Sequence, residues 1–168
     1  CEISGCKVEN TNINTGNESH TGMYGSAAGI VADAGDLQNI SNCTVKNVEI
    51  ETSSDNMAGI IGTTFGATIT FDNCNVEDLT CTDNNTVSAS TRLIGGLVGK
   101  AGKINVTNSN LSKINLNVLN GKKSTVQIGG IAANATDSTS IDNVNLEGIT
   151  INNNTGGTSG GMIAVQLG

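Results

Sequence analysis

Three cysteines, two aspartates and one histidine carry most of the chemistry this sequence could perform. Cys6, Cys43 and Cys74 recur at intervals of 37 and 31 residues, each preceded by Gly or Asn. Stacked on successive turns of a repeat, their Cα atoms would lie about 4.8 Å apart, close enough for a disulfide. Their Cβ vectors would run parallel, however, leaving the Cβ atoms farther apart than the usual ~3.8 Å. Buried free thiols acting as small hydrophobes are therefore expected. A metal site needs converging ligands, usually including His, and no Cys-x-x-Cys occurs. Asp72 and Asp142 fall in equivalent positions two repeats apart, about 9.6 Å along a stack. A retaining glycosidase needs about 5–5.5 Å between carboxyls and an inverting one about 6.5–9.5 Å, so the pair is marginal at best. The single His20 and the single Arg92 are read into loops of different repeats. No Ser/His/Asp set and no phosphate-cradling loop can be built. No residue is assigned a catalytic, cofactor-binding or metal-binding role, and no enzyme activity is expected.

What would hold such residues in line is a repeat. The segments Ala-Ala-Gly-Ile-Val-Ala (27–32), Met-Ala-Gly-Ile-Ile-Gly (57–62), Ile-Gly-Gly-Leu-Val-Gly (94–99), Ile-Gly-Gly-Ile-Ala-Ala (128–133) and Ser-Gly-Gly-Met-Ile-Ala (159–164) align on Gly29, Gly59, Gly96, Gly130 and Gly161. The successive spacings are 30, 37, 34 and 31 residues. Fixed motifs separated by variable lengths mark a repeat architecture with insertions in loops.

A second motif alternates with the first, as in Ile40-Ser-Asn-Cys43-Thr-Val45-Lys-Asn-Val48-Glu-Ile50. Apolar and polar residues alternate at period two, the pattern of half-buried strands. The alternation slips once, at Asn10, Asn47, Asp78, Lys113 and Gly148, and a corner is predicted there. Most of these residue types tolerate the left-handed backbone a tight corner requires.

The predicted interior is then a set of columns: Ile3/Ile40/Phe71/Val106/Ile141, Cys6/Cys43/Cys74/Ser109/Val144, Val8/Val45/Val76/Leu111/Leu146, Thr11/Val48/Leu79/Ile114/Ile149 and Ile13/Ile50/Cys81/Leu116/Ile151. Asn42, Asn73, Asn108 and Asn143 should form an amide ladder between turns. Glu9, Lys46, Glu77, Ser112 and Glu147 should form an exposed charge ladder, worth little per pair. The glycine-motif strand leaves its inward side open. With either choice it places an apolar stripe on the outside that something must cover. The fold expected is all-β: a right-handed parallel β-helix (β-solenoid) of about five coils of 30–37 residues, three strands per coil, over residues 1–168 as one domain. Right-handedness follows from the strong preference of parallel crossovers.

Composition narrows the partners. Proline is absent, Gly numbers 22, and aromatics are only 2%. That mixture, rich in Asn and Thr as well, suits short strands joined by tight turns. A net charge of −7 with no basic run argues against nucleic acid and against docking on anionic lipid. No apolar run reaches the roughly 18–20 residues of a membrane-spanning helix, so no insertion is expected. The chain opens at Cys1 inside a repeat, which reads as a segment of a longer protein.

Gly96-Leu97-Val98-Gly99 and Gly59-Ile60-Ile61-Gly62, with the Asn-Cys/Ser-x-Val/Leu phrase that follows, resemble the GLUG-type repeats of large surface proteins and adhesins of Bacteroides-like bacteria. The resemblance extends over essentially the whole chain. It implies a non-catalytic structural or adhesive segment, secreted or at the cell surface, without active-site residues. A host or neighbouring-cell protein or glycan would be met through the longest loops, 82–93 and 117–127, beside the flanking domains of the parent chain. The alternative is a β-helical glycan-processing enzyme, lyase or glycosidase-like, with part of its site in missing flanks.

Overall fold

The computed structural model describes residues 1–15, 25–84, 91–119, 125–155 and 157–166. All regular structure among them is β, in twenty strands, β1–β20 in chain order, that stack into four parallel five-stranded sheets. Sheet A holds β1 (Glu2–Ser4), β5 (Asn39–Ser41), β9 (Ile69–Asp72), β13 (Ile104–Thr107) and β17 (Thr139–Asp142). Sheet B holds the long strands β2 (Lys7–Asn14), β6 (Thr44–Thr52), β10 (Asn75–Asp83), β14 (Asn110–Val118) and β18 (Asn145–Asn153). Sheet C holds β3 (Ser26–Ala28), β7 (Asn56–Ala58), β11 (Thr91–Gly95), β15 (Thr125–Gly129) and β19 (Thr158–Gly160). Sheet D holds β4 (Val31–Asp33), β8 (Ile61–Thr63), β12 (Val98–Ala101), β16 (Ala132–Ala135) and β20 (Ile163–Gln166). The chain visits A, B, C and D in turn and repeats, a parallel β-solenoid of about four turns.

The predicted interior columns are present as hydrogen-bonded registers. Ile40 pairs with Ile3 and Phe71, Val106 with Phe71 and Ile141, and Val48 with Thr11 and Leu79. In the three middle repeats these aliphatic side chains are fully buried, and in the outermost two they are half-buried. Each buried aliphatic contributes roughly 1.5–3 kcal/mol, and among the described residues Phe71 is the one aromatic buried with them.

Two expectations about the path of the chain need correction. The residues Asn10, Asn47, Asp78, Lys113 and Gly148 do have positive φ, between 51° and 64°. They lie inside single sheet-B strands, though, and are skipped by the pairing register. They kink the strand without adding a residue to it, since every strand of the sheet carries one at the same place. The corner between sheets A and B comes five residues earlier, at Gly5, Asn42, Asn73, Asn108 and Asn143, where φ is also positive, between 49° and 68°. The spacing of three between Ile3 and Cys6 is the trace of that corner, a second slip in the alternation.

Each turn also has four strands, not three. The glycine motif is two strands, with Gly29, Gly59, Gly96, Gly130 and Gly161 at the corner between them. A Cβ on Gly59 would lie 2.4 Å from the carbonyl oxygen of Gly96, and one on Gly96 2.0 Å from that of Gly130. Close stacking of one corner on the next, not an unusual φ, excludes a side chain there. Because the chain turns at this point, consecutive residues can both face inward. Ile60 and Ile61, and likewise Leu97 and Val98, are all buried in the core. The expected external apolar stripe does not exist at these positions.

Candidate functional site

The cysteines form the file that the stacking implies. Thr44 N–H donates to Cys6 O (2.8 Å), Asn75 N–H to Cys43 O (2.8 Å) and Asn110 N–H to Cys74 O (2.9 Å). All five cysteines are free thiols. Burial raises the Cys43 thiol above its ordinary range, and pushes Cys74 up to about 11 and Cys81 up to about 12. Thiols held in the neutral form are poor nucleophiles and poor metal ligands. Cys43, Cys74 and Cys81 pack in the core.

Of the two carboxylates, Asp72 is likewise committed to the stack. Thr107 stands between Asp72 and Asp142 in the register. Thr107 Oγ1 donates to Asp72 Oδ1 (2.7 Å) and Asn108 Nδ2 to the same oxygen (2.9 Å). These bonds, Thr107 first, lower the Asp72 pKa from its ordinary value, the wrong direction for a general acid. The amide ladder runs alongside: Asn73 Nδ2 donates to Asn42 Oδ1 (2.8 Å) and Asn143 Nδ2 to Asn108 Oδ1 (2.8 Å). Between Asn73 and Asn108 it is interrupted, because Asp72 takes the Asn108 amide. On sheet B, Lys46 and Glu77 pair at 2.7 Å as part of the expected charge ladder. His20 lies outside the described residues.

Loops 82–93 and 117–127 are shorter than the sequence suggests. Strands β10 and β14 extend through Asp83 and Val118, and β11 and β15 begin at Thr91 and Thr125. Residues 85–90 and 120–124 lie outside the described part. Arg92 is correspondingly not a loop residue. It sits inside β11, fully buried, with Nε donating to Asp83 Oδ1 at 3.1 Å and Nη1 donating to Asp55 Oδ1 and to Thr91 O at 2.7 Å. Asp83 is fully buried as well, and Asp55 is partly exposed. The signal was available: period two carried on from Leu79 and Cys81 points Asp83 inward, and carried back from Ile94 it points Arg92 inward. The polar composition of 82–93 suggests a loop, but the alternation runs on into it from both strands.

Next to this cluster, sheets C and D converge, and a cleft of about 330 Å³ opens between them. Close approach depends on small residues: a Cβ on Gly99 would meet Leu93 O at 3.0 Å and Met57 O at 3.2 Å. Asp55, Asn56, Thr91 and Leu93 line one side, and Thr63, Phe65 and Lys100 the other. Phe65 is 67% exposed, the most exposed large hydrophobic among the described residues, and has φ of +52°. It occupies a tight turn closed by Ala67 N–H donating to Thr64 O (3.1 Å), with Gly66 at φ +90° behind it. Thr63 Oγ1 accepts from Phe65 N–H (3.2 Å) and braces the turn.

The architecture thus defines a parallel β-solenoid repeat protein. No protein-family model matches the chain, and no curated protein or solved structure shows significant similarity to it.

Proposed function

We propose that the chain is a non-catalytic scaffold segment of the GLUG-repeat kind, acting as stalk or display element of a bacterial secreted or cell-surface protein. In this reading it winds right-handed, as parallel crossovers overwhelmingly do, in about five coils. The observation that supports it is where the reactive groups are spent. The cysteine file, Asp72, the amide ladder and Arg92 all bond from one turn to the next or from strand to strand, which stiffens a rod. A partner is met where sheet B gives way to sheet C, at the ends of β10 and β14 and the starts of β11 and β15; loops on rigid scaffolds commonly carry recognition. The test is a paired screen of the purified chain. Retention on host-cell or mucin-type surfaces without turnover of acidic or neutral polysaccharides is expected. Turnover that is lost in Asp72→Asn or Asp142→Asn would overturn the reading and establish the enzyme.

A further inference from the structure

The cleft between sheets C and D has the composition of a sugar subsite. An exposed phenyl ring gives an apolar platform, while the half-buried Thr91 and Lys100 offer a hydroxyl and an ammonium in the same lining, with Asn56 and Thr63 nearly buried behind them. Leu93, nearly buried, supplies an apolar surface on the opposite side. That pairing of a flat apolar surface with convergent hydrogen-bonding groups suits a pyranose, whose ring carries C–H groups on its faces and hydroxyls at its edge. The volume, about 330 Å³, is at the low end of the ~300–1,000 Å³ of small-ligand sites and suits one or two sugar rings.

Charge selects among sugars. The lining carries one group of each sign, Asp55 and, across the cleft, Lys100, while Asp83 and Arg92 lie buried behind it and pair with each other. Charges so balanced give an anionic sugar no net attraction, and favour a neutral one that accepts from Lys100 and donates to Asp55.

The backbone supplies an independent observation. In the preceding repeat Asp33 pairs with Thr63, which places Gly35 where Phe65 stands. Gly35 adopts φ of +49° at no steric cost, whereas Phe65 holds +52°, a conformation unfavourable for a bulky residue. With its ring largely in solvent, Phe65 recovers little by packing. Strained residues of this kind cluster at binding sites.

We infer that this cleft binds a neutral pyranose residue of a glycan, stacked on Phe65 and hydrogen-bonded by Asp55, Thr91 and Lys100. The inference rests on the scaffold reading above and names the ligand class of its recognition face. Calorimetric titration of the full chain with cellotriose, maltotriose, triacetylchitotriose and sialyllactose tests it. At least one neutral trisaccharide should bind, and the sialylated one more weakly. Phe65→Gly should lose at least tenfold in affinity with its Tm held or raised, and Lys100→Gln should lose severalfold. Absence of binding by every neutral trisaccharide, preference for sialyllactose, or unchanged affinity in Phe65→Gly would overturn the inference. So would a marked fall in Tm for Phe65→Gly, which would make the ring structural. The scaffold reading survives those outcomes if the chain still adheres to surfaces. Turnover of a bound trisaccharide would instead remove the scaffold reading and leave the cleft assignment standing.

Discussion

Two successive turns of the solenoid solve the same packing problem in opposite ways. Where β10 ends and β11 begins, Asp83 and Arg92 face inward; one turn on, the paired positions are Val118 and Val126. All four side chains are almost wholly buried. The valines need only fit. The charged pair must offset the loss of hydration by direct bonds, which Arg92 makes through Nε to Asp83 and through Nη1 to Asp55 in the turn before. Burying an ion pair in place of apolar residues is seldom a gain in stability. The comparison therefore teaches that the fold does not require charge at this position, and that the Arg92 cluster belongs to what this turn presents. It ties together the strand ends flanking residues 85–90 and sets Asp55 in the cleft wall.

Removing one partner should have the largest effect. Asp83→Ala leaves a buried guanidinium poorly compensated and is expected to cost about 3–5 kcal/mol in denaturant unfolding. A loss below 1 kcal/mol would show that solvent reaches Arg92 and would end the comparison. The double variant Asp83→Val with Arg92→Val copies the neighbouring turn, and its stability should range from unchanged to about 1–4 kcal/mol higher. A double variant as unstable as the single one would mean that the charged turn cannot accept its neighbour's solution. A smaller effect contrasts buried charge with exposed charge. Asp72 has a folded pKa below its unfolded value, so its contribution is present above the unfolded value and fades as pH falls through the folded one. Unfolding of Asp72→Asn should therefore depend less on pH below about 4 than unfolding of the parent. Identical acid limbs would show that the Thr107 and Asn108 bonds do not select the anion.

Much of the fold was legible in the residues. Ile40, Val45, Val48 and Ile50 were placed inward by alternation alone, and their stacking partners followed from the spacing of the motifs. Asn10 and Asn47 were recognised as bends, yet misread as corners, since a left-handed residue kinks a strand or turns it with the same φ. The glycine motif was read as one strand with an exposed stripe. What divides it is the approach of Gly96 to Gly130, 34 residues away, and no local pattern reports a distance of that kind. The candidate cleft was not legible at all: with aromatics at only 2% of the chain the sequence argues against a sugar platform, and Thr63, Leu93 and Lys100 had no reason to be grouped.

Period-two alternation and motif recurrence, being properties of the chain itself, determined that strands exist, which side chains they bury and which residues stack upon which. The tertiary structure alone decided how many sheets the turns divide into, which polar residues near the strand ends carry charge into the core, and what meets across the angle between sheets C and D. Those depend on contacts between segments some thirty residues apart, where the shape of one turn is set by the atoms of the next.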